Sequence, residues 1–136
     1  MLHGETTRNI TTGQVGENLA CAYLAGLGYK IAERNVRQKF GEIDIVAKDK
    51  NGTLCFVEVK TIEAGYSKFS GLEPEDNLSP AKLFKMKKMA EWYANSHEKK
   101  VGKRGYRIDV VCVKLGSEKE VGFPKNSEIK LYTNLS

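Results

Sequence analysis

From Thr11 onward, apolar residues recur along the chain first at helical and then at alternating spacing. In QVGENLACAYLAGLG, Val15, Leu19, Ala22 and Gly26 form one stripe, and Ala20, Cys21 and Leu24 a second. Two stripes predict a helix buried on more than one side, with Thr11 or Thr12 as its N-cap and Gly26 and Gly28 near its end. YKIAERNVR, Tyr29 to Arg37, reads as a strand. EIDIVAK then alternates cleanly, and the Asn51-Gly52 pair within DKNG turns the chain back into TLCFVEVKT, so these two runs predict a hairpin. Residues 63–78 are rich in Gly, Ser, Glu and Asp and read as a long loop. Ser79-Pro80 opens a second helix reaching about Asn95, with Leu83, Met86, Ala90 and Tyr93 toward the core. After a basic turn, YRIDVVCVK predicts a buried strand and EIKLYT an edge strand. The order is αβββαββ, in one domain preceded by a flexible tail over residues 1–12.

Alternation assigns side chains to faces. Glu42, Asp44 and Val46 should share one face of the hairpin, with Ile43, Ile45 and Ala47 on the other. In the partner strand Phe56, Glu58 and Lys60 share a face opposed by Val57 and Val59. Two carboxylates and an ammonium would then converge over one patch of sheet. A solvated polar face with a Glu58–Lys60 ion pair worth under ~1 kcal/mol is one reading. A divalent-metal site is the other: Mg²⁺ takes hard oxygen ligands and is commonly held by one or two carboxylates plus substrate phosphate, needing no His or Cys. On that reading Asp44 and Glu58 hold Mg²⁺ or Mn²⁺ with the backbone carbonyl of Val59, and Lys60 reaches the attacking water or the scissile phosphate of a phosphodiester. Glu17 is the single carboxylate among the second stripe of the first helix. It suits either a site residue or a first-turn glutamate favoured by the helix dipole.

Charge narrows the partner. The chain carries a net charge of +5 with a pI near 9.1, and between Lys82 and Arg107 nine Lys or Arg residues face only Glu91 and Glu98. An anionic partner is expected, with Lys82, Lys85 and Lys88 on the outer face of the second helix and Arg37 as candidate DNA-phosphate contacts; a merely solvated cationic face is the plainer alternative. Cys21, Cys55 and Cys112 sit singly in apolar sequence and read as buried thiols of a reducing compartment. No apolar run approaches the roughly 20 residues that cross a bilayer. The start has no basic then apolar leader pattern, so the cytoplasm is the expected location and no membrane partner is expected. Asp109 reads as a structural aspartate paired with Arg107, His3 and His97 as isolated, and Trp92 and Tyr93 as core and rim aromatics.

Asp44 followed by Glu58-Val59-Lys60 resembles the D…(D/E)-x-K core of the restriction-endonuclease-like, PD-(D/E)XK, superfamily. GQVGENLACAYLAGLGYKIAERNVR, GEIDIVA, FVEVKT, PAKLFKMKKMAEWYA and YRIDVVCV, in this order, resemble the YraN-like family of uncharacterised bacterial proteins over about Gly13 to Val113. The resemblance implies a three-layer α/β/α fold with a central mixed sheet, and kinship with archaeal Holliday junction resolvases. It implies catalytic roles for Glu17, Asp44, Glu58 and Lys60, with Glu17 completing the metal site or acting as base. Lys82 matches a recurrent lysine of the family. The implied activity is metal-dependent endonucleolytic cleavage of branched or non-standard DNA in recombination or repair, by a homodimer. The alternative is a non-catalytic adaptor of the same fold that binds nucleic acid and recruits a recombination partner. One departure is Ile62, near which the family usually has an arginine; Lys68 or Arg37 would have to substitute.

Overall fold

Thr11 accepts the backbone N–H of Gln14, and the Gln14 side chain returns to the Thr11 N–H, closing a capping box that starts α1 (Thr12–Gly26). The helix ends where Gly28 takes φ +95°, a backbone shape a side chain would resist. Its buried residues are Gly16, Ala20 and Leu24, with Val15, Leu19 and Cys21 half-buried. Ala22 and Gly26 are exposed. The two predicted stripes are thus one face, because α1 has sheet on one side only. The computed structural model describes residues 11–63, 78–116, 118–120 and 123–135. The expected tail over residues 1–10, nearly all of the expected long loop, and Lys68 lie outside them, whereas Thr11 and Thr12 belong to the helix start.

β1 (Lys30–Gln38), β2 (Gly41–Lys48), β3 (Leu54–Ile62), β4 (Tyr106–Lys114) and β7 (Glu128–Tyr132) form one sheet in the order β1-β2-β3-β4-β7. Every neighbouring pair is antiparallel except β3–β4, whose parallel pairing requires the long crossover containing α2 (Pro80–Ser96). Among the described residues the result is a mixed α/β domain with a five-stranded mixed sheet and two α-helices. β7 is the edge strand its pattern predicts, and α2 begins at the predicted Ser79 cap, whose hydroxyl accepts the Lys82 N–H. β5 (Glu118–Glu120) and β6 (Phe123–Lys125) add a short separate ribbon that their sequence did not announce.

Each helix covers its own face of the sheet. Ala20 and Leu24 of α1 join Ile45, Ala47, Cys55, Val57, Val111 and Val113. Met86, Met89, Ala90 and Tyr93 of α2 join Ile43, Val46, Leu54, Phe56 and Ile108. Met89 belongs to this core although its pattern did not mark it, while Leu83 is only half-buried. Strict alternation in β2 fails at one place. Ile43 packs with Val46 on the α2 side, whereas Ile45 and Ala47 face α1, so the side-chain phase slips at Asp44.

At the far end of the sheet a closed polar cluster ties elements together. The Arg107 guanidinium bonds Asp109 through Nε at 3.0 Å, Asp49 through Nη1 at 2.6 Å and the Tyr29 hydroxyl at 2.8 Å. Asp109 is fully buried and also accepts the Asn134 backbone N–H, so it is the structural aspartate its sequence context suggests. Burial pushes the Asp109 carboxyl above its usual range. Cys55 and Cys112 are buried and Cys21 is half-buried, and none of the three is in a disulfide; burial pushes the Cys55 thiol up to about 12, which makes it inert.

Candidate metal and phosphate site

β2 and β3 pair from Lys48↔Leu54 to Ile45↔Val57, and there the ladder stops. One residue further, the Asp44 carboxylate replaces a backbone acceptor: its Oδ2 takes the Val59 N–H at 2.8 Å. In an antiparallel strand a residue directs its N–H and C=O to the same neighbour, so the Val59 carbonyl also faces this opened edge. The phase slip in β2 and the opened ladder therefore have a common consequence, a carboxylate lodged between two strands. Glu58, the next residue on β3, is 6% exposed and Asp44 8%.

These groups line a cleft of about 620 Å³ with Glu17, Glu42, Lys60, Lys82 and Lys85. The N-terminal turns of both helices reach it, through Thr12 and Gly13 on one side and Lys82, Lys85 and Met86 on the other. Close contact of α1 with the end of β3 is what brings Glu17 there. A Cβ on Gly16 would lie 1.8 Å from Thr61 Oγ1 and 2.8 Å from its Cβ, so only glycine allows that approach.

Burial pushes the Asp44 carboxyl up to about 8, and the nearby Glu58 charge adds to this, partly offset by the Val59 N–H. The counter-charge comes from α2: the Lys82 ammonium pairs with Glu58. Burial opposes the Lys82 charge, but Glu58, with help from Asp44 and Glu42, holds it above the usual lysine value. Glu58 is thus paired with Lys82, 24 positions away, and among the described residues not with Lys60, which the sequence offered as its partner. Lys60 is exposed on the cleft wall.

Glu17 enters the same cleft but is held by Arg34, whose Nη2 lies 3.4 Å from Oε1. Among the described residues no three His, Cys, Asp or Glu side chains form a ready cation cage. The carboxylates that do converge are Asp44 and Glu58. Arg37 bonds Glu42 at 2.9 Å on the rim, with both side chains substantially exposed. Lys85 stands between this cleft and a neighbouring one, and the Lys88 ammonium lies 4.9 Å from the centre of the Phe84 ring. His97 is built into a stack on Tyr93, with Nδ1 2.9 Å from the Tyr93 carbonyl, and takes no part in the cleft. Among the described residues no helix is long and apolar enough to cross a membrane.

Comparison with known proteins agrees with the range of the motif blocks. Residues 16–113 match the profile of the uncharacterised protein family UPF0102. A UPF0102 protein of Syntrophus aciditrophicus is 41% identical over 112 residues, covering 82% of this chain and 83% of its own. One of Syntrophotalea carbinolica is 38% identical over 120 residues, 85% and 89% of the two chains. A third, from Campylobacter concisus, is 39% identical over 102 residues, 75% and 82%. With the YraN-like blocks, the profile match and relatives of nearly equal length all agreeing, this chain belongs to the uncharacterised protein family UPF0102.

Proposed function

We propose that this protein is a divalent-metal-dependent DNA endonuclease of the restriction-endonuclease-like fold, acting on branched or otherwise non-standard DNA. The observation that carries the reading is the buried Asp44–Glu58 pair at an opened strand edge inside a lysine-rimmed cleft. Keeping two adjacent carboxylates out of water is costly, and a structural role would be served as well by two apolar residues. A buried carboxyl with a strongly perturbed titration, as at Asp44, marks functional sites more often than random surface does.

The donor set fits a hard cation. Asp44, Glu58 and the Val59 carbonyl offer oxygen only, and Lys82 on Glu58 shows that the pair draws positive charge. Mg²⁺ or Mn²⁺ held there would supply Lewis-acid polarisation of a phosphate oxygen and of water. Lys60, two residues beyond Glu58 on the cleft wall, orients the attacking water and stabilises the charge that develops on the phosphate. Glu17 reaches the site after exchanging Arg34 for a water or ligand contact, and acts as base or added ligand. Lys82 and Lys85 contact phosphate and position the backbone without reading sequence. A two-fold pair of chains would present two such clefts for two cuts.

One observation favours the adaptor alternative: Glu17 and Glu58 are already neutralised by Arg34 and Lys82. A cleavage screen of single-stranded, flapped and four-way DNA with Mg²⁺ and Mn²⁺ separates the two. The nuclease reading expects metal-dependent strand scission that is lost in Asp44→Asn and Lys60→Ala while DNA binding persists. Binding by all three proteins with scission by none would leave the adaptor.

A further inference from the structure

β1 and β2 are joined by a two-residue turn, Lys39 and Phe40, closed by the Gln38↔Gly41 pair. Phe40 is 45% exposed at its tip. That leaves about half of an aromatic residue open to solvent at a hairpin tip, beside cationic side chains. Its ring makes an edge contact with Trp92 at 6.3 Å between centres. Phe84, Lys88 and Trp92 follow one another on α2 at intervals of four residues, the first two exposed and Trp92 half-buried against the core, so the line alternates aromatic and cationic groups. Phe84 is 60% exposed.

A second cavity of about 370 Å³ lies beside the turn, lined by Arg37, Lys39, Phe40 and Lys85 together with Gln38, Gly41 and Glu42. It shares Gly41, Glu42 and Lys85 with the carboxylate cleft, so the two cavities adjoin. Gly41, at the junction, lets the start of β2 lie close against α2, since a Cβ there would lie 2.7 Å from Cγ of the buried Met89. The volume lies at the small end of ordinary ligand sites and suits a nucleotide unit, not the side of a double helix. Cations for phosphates beside an accessible ring for a base face are the combination by which proteins hold single strands. An intact duplex hides its base faces by stacking, which leaves Phe40 nothing to cover.

We propose that Phe40 stacks on an unpaired base of DNA whose strand passes from the Asp44–Glu58 cleft over Gly41, with its phosphates following Lys39, Lys85 and Lys88. The inference deepens the nuclease reading, on which it rests only for the direction of the strand. It makes the β1–β2 turn the element that selects DNA with an unpaired segment over plain duplex.

The test uses the full chain and three oligonucleotides: a single strand, a blunt duplex and a duplex with a single-stranded flap, the first and third carrying 2-aminopurine. Binding is read by anisotropy and stacking by 2-aminopurine emission. The wild type should quench the probe and prefer flap and single strand to duplex. Phe40→Ala should weaken those two by about tenfold, leave duplex affinity within about twofold, and abolish the quench, while Phe40→Trp restores it. Lys39→Ala and Lys85→Ala should weaken all three DNAs alike and flatten the salt dependence. Unchanged quenching in Phe40→Ala, or equal losses on duplex and flap, would overturn the proposal. So would failure to bind any of the DNAs, as for a surface that docks an acidic protein. Cleavage without Phe40-dependent discrimination would sink this inference alone; discrimination without cleavage in any metal would sink the nuclease reading alone.

Discussion

Replacing Asp44 by Asn should make the protein more stable at neutral pH. Asp44 is 8% exposed, and burial beside Glu58 moves its carboxyl from 3.8 to about 8. A folded-state value above the unfolded one means that the folded protein keeps the proton while the unfolded chain releases it. The associated stability is fully present below about pH 4 and is lost as pH rises toward 8. Each unit of separation corresponds to about 1.4 kcal/mol. At pH 7 the gap from 3.8 is about three units, a ceiling of roughly 4 kcal/mol for the cost of the acid. Asn keeps an acceptor for the Val59 N–H and has no charge to place beside Glu58. A gain of about 2–4 kcal/mol, or about 10 °C in Tm for a chain of this length, is expected. The assay is urea and thermal unfolding of both proteins from pH 4 to 9. The two curves should meet at the acid end, separate as pH rises and run parallel above about 8. Saturating Mn²⁺ should stabilise the wild type and not the variant. An Asn variant no more stable than wild type at pH 7, or a gap that does not change with pH, would refute the reasoning.

Three further outcomes follow from the packing. Gly16→Ala should cost about 1–3 kcal/mol by driving α1 off Thr61, read as a shift in the urea midpoint with an unchanged slope; a neutral effect would show that the helix does not need that approach. Arg107→Met leaves Asp109 buried without its guanidinium and frees Asp49, so a loss of about 3–5 kcal/mol is expected in equilibrium unfolding, largely recovered in the Arg107→Met, Asp109→Asn double variant. Ser79→Ala removes the acceptor for the Lys82 N–H at the start of α2 and should cost about 1 kcal/mol, with Ser79→Asp restoring it.

Much of this molecule is legible along the chain because its signals are local. The Thr11 capping box, the Ser79-Pro80 start of α2, the Asn51-Gly52 turn and the alternation of β4 each depend on residues within a few positions of one another. The placement of Asp44 near Glu58 follows from the hairpin once its register is set by that turn. The short β5–β6 ribbon gave no comparable signal, since three-residue strands carry too little periodicity to stand out.

What tertiary structure decided is everything that depends on where two distant elements dock. The phase slip that sends Ile43 to the α2 side and Ile45 to the α1 side lies where the β2–β3 ladder stops, and alternation alone has no term for it. The Lys82–Glu58 and Glu17–Arg34 pairs span 24 and 17 positions, and the Arg107 cluster gathers Tyr29, Asp49 and Asp109 from three segments. A side chain's period is set by its own backbone, whereas its partner is set by the packing of whole helices against the sheet. For that reason the sequence by itself determined which groups this protein brings to the end of its hairpin, and only the folded arrangement decided which of them meet.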